Sequence, residues 1–400
     1  MTELRGVTWA TRRGLDPLRA ASAAFAQAHP GVTISWDALP WEEMRFAQRE
    51  SLATASGRYD LVVVDHPWIG DYADAGWVIP VDGYMDAAQL AQVRRDADLA
   101  SLSSYEHDGR LWALPVDAAC QTLVVRPDLL AGLPWLDDLR DWDDVLAAAE
   151  AFHAPPERWG FVHSLNHGAG VLLFVLGAAA AVGADPYRTP GTRFDREAGA
   201  IALTLLRDIH RLGLPPAERA GRRPFDLMRD GDSFALWPAG FPYSELFVAG
   251  DRPPLRVLPM PAIAGGAATT GLGGAGLAVA AASRHRDVAA EFASFAISPQ
   301  VQGELWIEHG GQPGLTSALR GSAMRAQSGD IGEVLAGALE DCYVRPTWPG
   351  WSWVEVSAEP VFASFAAGHS DIAQTLDALD ALVAAGPRHS RDIDLSVEGN

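Results

Sequence analysis

Strands and helices alternate through the first 65 residues, and that alternation restricts the fold more than any other feature of the chain. Residues 4–9, 32–36 and 60–65 read as strands, while 17–28 and 41–55 carry the apolar spacing of amphipathic helices. Asp16 before Pro17 predicts a helix start with Pro at the first helical position, and His29-Pro30-Gly31 stops that helix. The order implies a parallel sheet covered on both faces. In such sheets ligands lie beyond the carboxyl ends of the strands, here residues 9–14, 37–41 and 65–68.

From about Cys120 the pattern restarts: a strand to Arg126, a helix over 142–153, a short strand at 160–163 and an Ala/Leu-rich helix over 168–182. A second lobe is implied, and 400 residues with 48% hydrophobic and 20% charged composition are enough for two cores. The segment 265–276, GGAATTGLGGAG, is the most Gly-rich in the chain and reads as a loop feeding an apolar strand at 277–282. Helical patterns follow at 287–297 and 299–309, then a tail over 331–385 broken at Pro346 and Pro349.

Charge and composition remove several function classes. A net charge of −20, from 31 basic and 51 acidic residues, repels phosphate backbones and anionic membranes, so no nucleic-acid partner is expected. Lysine is absent, which excludes Schiff-base chemistry, a P-loop lysine and a Ser-Lys dyad. Cys120 and Cys342 are too few for a disulfide framework and do not have metal-ligand spacing, so neither metal nor cofactor is expected. No Gly-x-Ser-x-Gly or His-Glu-x-x-His occurs. GLGGAG at 271–276 matches Gly-x-Gly-x-x-Gly but feeds a strand instead of joining strand to helix. The paired acids Glu42-Glu43, Asp137-Asp138 and Asp143-Asp144 sit at adjacent helical positions, where side chains diverge, and read as solvated faces or caps. No apolar run approaches a membrane span, and Met1-Thr2-Glu3 leads straight into LRGVTW, from which no export signal is expected in the chain as given.

Three segments carry a resemblance. Residues 109–130, GRLWALPVDAACQTLVVRPDLL, join an aromatic-Leu-Pro turn to a β-type run ending in Arg126-Pro127-Asp128; residues 59–80, YDLVVVDHPWIGDYADAGWVIP, set a buried-type strand before Asp65 and His66; and residues 343–361, YVRPTWPGWSWVEVSAEPV, precede the last helices. In that order and spacing they resemble the family 1 solute-binding proteins of ABC importers, which capture sugars and related polyols. The resemblance runs from Leu4 to about Ala385. It implies an α/β, two-lobed, periplasmic-binding-protein-like fold of type II, with discontinuous lobes around a central cleft. The expected lobes are 1–115 with about 270–320, and about 118–265 with 325–400, with crossovers near 114–117, 265–276 and 313–325. It also implies a monomer that binds a small sugar-like solute, docks on an importer permease, and works in the periplasm or outside the cell; a cytoplasmic solute-binding protein is the alternative where no export signal exists.

Sugar recognition needs flat aromatic faces for ring C–H surfaces and planar polar groups for hydroxyls. Of 14 Trp, those beside breakers at expected strand ends are candidates: Trp9, Trp68, Trp237, Trp348 and Trp351, although each reads equally well as core packing. Asp65 and His66 end the run Leu61-Val62-Val63-Val64; Asp65 serves equally as a helix cap. Asp117 follows the Leu-Pro crossover, with Gln121 on the next strand opposite Cys120. His163 and Asn166 close a short strand ahead of a helix, and Tyr243 follows Trp237 in WPAGFPY. Arg13 in the first strand-end loop and Gly273 in the glycine-rich segment complete the set. The rival reading is an enzyme with Cys120 as nucleophile, because a thiamine-cleaving enzyme on this scaffold has a Cys after the crossover. The spacing from Pro115 differs from that enzyme's, and no His beside Cys120 would lower its pKa.

Overall fold

The computed structural model describes every residue except 98, 132–138, 166–167, 220, 248–254, 269 and 393–400. The opening alternation folds as strands β1 (Thr2–Trp9), β2 (Val32–Leu39) and β3 (Leu61–Val64), with helices α1 (Arg12–Ala28) and α2 (Trp41–Ala53) between them. β1 pairs in parallel with β2 along its whole length and with β3 at Gly6 and Val7. All four residues of β3 are buried, which is why it reads as a continuous apolar run without alternation.

Helix α1 starts five residues before the expected Asp16-Pro17. Thr11 is its cap, with the hydroxyl accepting the Gly14 N–H at 3.1 Å, and Pro17 lies inside the helix. The early start brings Arg13 into the first turn, at the carboxyl end of the sheet. Phe25, Ser22, Ala21, Leu18 and Gly14 form the buried stripe at helical spacing.

A two-residue ribbon of β4 (Glu106–His107) and β5 (Arg110–Leu111) precedes β6 (Leu114–Cys120), and β7 (Thr122–Val125) continues β6 after the single residue Gln121. β8 (Leu236–Gly240) and β9 (Arg256–Leu258) flank β7 in an antiparallel three-stranded sheet. β10 (Leu272–Val279) returns between β3 and β6, antiparallel to both, giving the order β2-β1-β3-β10-β6. The first sheet is therefore mixed, where the opening pattern alone implied a parallel one. The chain passes from one sheet to the other at Gln121 and comes back at Leu272.

The glycine-rich segment differs from its expectation in an informative way. Three of its glycines lie inside β10 instead of in a feeding loop. Gly274 has φ +112°, and a side chain there would collide with the Asp117 carbonyl; a Cβ at Gly276 would stand 2.6 Å from the Tyr105 ring. Close strand approach with a bulge between Ala275 and Gly276 demands glycine, so the composition that signals a loop is here a packing requirement.

One core gathers Leu4, Val7, Phe25, Val62, Leu277 and Phe292 around the first sheet. A second unites Leu123, Val125 and Trp142 with the helices Gly168–Ala181, Arg196–Leu212, Trp351–Ser357 and Ile372–Ala385. A third joins Cys120, Trp237 and Leu272 to Met324 and Leu335 beside the strands that pass between the sheets. No helix among the described residues is long and apolar enough to cross a membrane.

Candidate functional site

A cavity of about 570 Å³ opens where the carboxyl ends of the first sheet face the second. Trp9 at the end of β1, Arg13 in the first turn of α1, Trp41 at the start of α2 and Asp65 after β3 form one side. This is the position at which an open α/β sheet presents ligand contacts. The opposite side is Leu165, Leu173, Phe225, Trp237, Phe241 and Tyr243, and Gln121, Gly273, Gly274 and Arg345 lie between the two.

The charged side chains Arg13, Asp65 and Arg345 on the wall are each held by an ion pair. Arg13 pairs with the buried carboxylate of Asp117, and its guanidinium stacks 3.6 Å above the Tyr243 ring and 5.1 Å from that of Trp9. Burial pushes the Asp117 carboxyl up, and Arg13 opposes that shift. Arg345 donates from Nη2 to Asp65 at 2.6 Å and from Nη1 to Glu355 at 3.0 Å. Gln121 donates to the Gly170 carbonyl at 3.1 Å. Phe241 and Tyr243 stack with their rings 8° from parallel. Flat carbon faces beside oriented polar groups suit a molecule that has both C–H faces and hydroxyls.

Of the fourteen expected site residues, Trp9, Arg13, Asp65, Gln121, Trp237, Tyr243 and Gly273 line this cavity. Asp117 stands behind Arg13, 2% exposed, and acts on the wall through that arginine. Asp65 precedes the turn His66–Trp68 but makes no side-chain cap there; its carboxylate goes to Arg345.

Five of the others lie elsewhere. His66 is fully buried behind β3, edge-on to Tyr105, with its pKa well below the ordinary value because burial and the nearby Arg345 disfavour the cation. Trp68 packs in the first core against Trp41 and Tyr72. Trp348 and Trp351 pack edge to face in the second core, and the Trp348 indole N–H bonds the Tyr187 carbonyl at 2.9 Å. A Trp beside Pro and Gly fits a core turn as well as a cleft rim, and these three pack in the cores without reaching the cavity wall. His163 stacks on His210 and accepts the Leu165 N–H at 3.1 Å, so it shapes the loop whose Ser164 and Leu165 reach the wall. Asn166, like Asp137-Asp138, lies outside the described residues.

Trp41 and Arg345 were missed. Trp41 had a signal, since Pro40-Trp41 ends the β2 segment just as Trp9 ends β1. Arg345 had a weaker one in the Arg-Pro pair of the tail motif. Leu173, Arg223 and Phe225 enter from helices remote in sequence and carry no local signature. Among the described residues no group of three or more His, Cys, Asp or Glu side chains could hold a metal ion.

Two sheets joined by repeated chain crossings around a cavity rich in aromatic rings define a two-lobed binding-protein fold of the periplasmic type. The chain belongs to the bacterial extracellular solute-binding protein family, whose model matches residues 12–303. A binding protein of Brucella abortus (strain 2308) is 25% identical over 139 residues, 34% of this chain and 33% of its own length. The matched stretch thus spans about a third of that relative. Among solved structures, the maltose-bound MalE3 of T. maritima superposes with a TM-score of 0.79 at 17% identity, covering 96% of this chain and 99% of that one. The solute-binding protein of Agrobacterium radiobacter K84 in complex with ribitol gives 0.78 at 19%, covering 97% and 98%. At these identities both show the fold.

Proposed function

We propose that the protein binds a neutral carbohydrate or polyol in the cavity between its lobes and passes it unchanged to the permease of an ABC importer, as a monomer outside the cytoplasm. The observation that carries this is the wall itself: six aromatic side chains, Trp9, Trp41, Phe225, Trp237, Phe241 and Tyr243, around one cavity whose three arginines, Arg13, Arg223 and Arg345, are each paired to a carboxylate. Charge compensation of this kind leaves little to attract an ionic ligand and favours hydroxyls, which need donors and acceptors without net charge. Maltose in one structural neighbour and ribitol in another agree in chemistry.

The contact set we propose is Trp9, Arg13, Trp41, Asp65, Gln121, Trp237, Tyr243, Gly273 and Arg345. The lobes are assigned to 1–115 with about 270–320 and to about 118–265 with 325–400, closing on the solute by selection of the closed form. Cys120 is fully buried in β6 and is not a wall residue, so it is assigned to packing. Cys120→Ser is expected to keep solute affinity, measured by calorimetry, and turnover of a bound compound that vanished in that variant would promote the enzyme instead.

The direct test is a thermal-shift screen of sugars and polyols including maltose and ribitol. A solute at 100 times its dissociation constant stabilises by about 2.7 kcal/mol. A shift with amino acids or organic acids and none with any sugar or polyol would sink the reading.

A further inference from the structure

A network of three arginines and three carboxylates, buried except for the partly exposed Asp65, stands behind the cavity, between the first sheet and the C-terminal segment. From α2, Arg45 donates to the Ser352 carbonyl at 2.9 Å, and Arg49 lies 3.5 Å from Asp71. Asp71 accepts the Gly350 N–H at 2.6 Å and the Ser352 hydroxyl. Arg345 bridges Asp65 and Glu355. Asp65 follows β3 of the first sheet, whereas Glu355 belongs to the helix Trp351–Ser357, whose Trp351 and Val354 pack in the second core. Arg345 is thus clamped by one carboxylate from each side of the molecule.

Only two of the six charged groups, Asp65 and Arg345, also line the cavity. Both terminal nitrogens of Arg345 hold carboxylates, while its buried Nε has no acceptor among the described residues. A guanidinium is a rigid planar fork, so fixing both Nη atoms fixes the direction of the Nε–H.

We propose that Arg345 couples occupancy of the cavity to the placement of the two lobes: Asp65 and Glu355 set its guanidinium from opposite sides, and the remaining Nε–H is held for an acceptor oxygen of the solute. Glu355 then acts as a positioning residue, felt in the cavity although it does not line it. This rests on the solute-binding reading above, and the test keeps the two apart.

The full chain is titrated with maltose and with ribitol, and the solute-free protein is measured by small-angle scattering. Glu355→Gln removes one charge of the clamp at almost constant volume and should weaken affinity about tenfold, because hydrogen bonds to charged groups carry that much. Arg345→Met should lose a similar factor, and the double variant R345M/E355Q should lose no more than R345M alone, since the glutamate acts through the arginine. Solute-free E355Q should show a larger radius of gyration than wild type. Asp380→Asn is the control for mere structural loss: Asp380 is also a buried carboxylate, bonded to Arg196 and Tyr187 in the second core, and its loss should lower Tm while leaving affinity per folded molecule unchanged. If E355Q does not fold, Glu355→Asp is read in its place. A folded Glu355 variant with unchanged affinity and scattering, or losses that add in the double variant, overturns the proposal. If wild type binds neither solute, the carbohydrate reading is in question by itself, and an unchanged radius of gyration in E355Q still overturns the coupling.

Discussion

Beyond the ends of β1 and β3 the cavity wall carries Arg13 and Asp65, each tied into an ion pair, whereas the wall around β8 carries Phe225, Trp237, Phe241 and the ring of Tyr243. The first side also carries the rings of Trp9 and Trp41, so it combines oriented polar groups with flat carbon faces, whereas the rings of the second are apolar apart from the Tyr243 hydroxyl and the Trp237 N–H. On the proposed function, orientation of the solute rests on the first side, and both sides contribute apolar contact. A parallel contrast separates the tryptophans: Trp351 is fully buried in the second core, while Trp41 on the wall remains 38% exposed.

The sharpest way to break that contrast is Trp351→Ala. Emptying a fully buried indole site should cost about 3–5 kcal/mol of stability, read by urea unfolding, with solute affinity per folded molecule intact. A loss of affinity at unchanged Tm would return Trp351 to the site.

A somewhat smaller effect should come from acid. His163 has its pKa pushed down to about 3, first by burial and then by the neighbouring His210 and Arg219, against about 6.5 when unfolded. Its Nδ1 must stay unprotonated to accept the Leu165 N–H. Because the folded value is depressed, the neutral form's contribution is fully present above pH 6.5 and is lost as pH falls toward 3. Between pH 7 and 5 this amounts to about 2 kcal/mol, at roughly 1.4 kcal/mol per unit below 6.5. His66 and His210, also held low by burial, act in the same direction. His163→Asn should flatten part of the slope of Tm with pH, and an unchanged slope would mean that His163 is not buried neutral.

The smallest effect separates wall from core most cleanly. Trp41→Ala removes a ring that is already partly exposed, so Tm should scarcely move while affinity falls by about 0.5–1.5 kcal/mol, roughly two- to tenfold. A large fall in Tm would place Trp41 with Trp68, its neighbour at 5.2 Å, in the packing of the first core.

Much of the frame was readable from the residues. The continuous apolar run Leu61–Val64, the strand after Cys120 and the helix from Trp142 depend on local pattern, and they appear where that pattern puts them, whereas α1 begins earlier than its Pro17 signal and residues 160–163 form a single bridge at Phe161 instead of the expected strand. The lateral position of β10 did not follow, because which strands lie side by side depends on contacts some 200 residues apart. The site divided along the same line. Trp9 and Asp65 were found from a rule about strand ends, while Phe225 and Leu173 reach the wall only through the packing of distant helices. His66 and Trp68 failed for a local reason: they follow Asp65 directly, but the turn at residues 66–68 carries both side chains into the core.

The place of β10 also bears on how the molecule is made. Its strand lies between β3 and β6 in the first sheet, yet it is encoded only at residues 272–279. As the chain leaves the ribosome, the first 120 residues therefore emerge with β3 and β6 unjoined, each showing an open edge. They must wait for more than 150 further residues before the strand that closes the gap arrives. Long-range closure of this kind is slow and leaves edges open to mispairing. A chain stopped short of residue 279 is expected to aggregate rather than yield a working first lobe, so a nascent-chain series should show protease resistance of the N-terminal region only after β10 has cleared the exit tunnel.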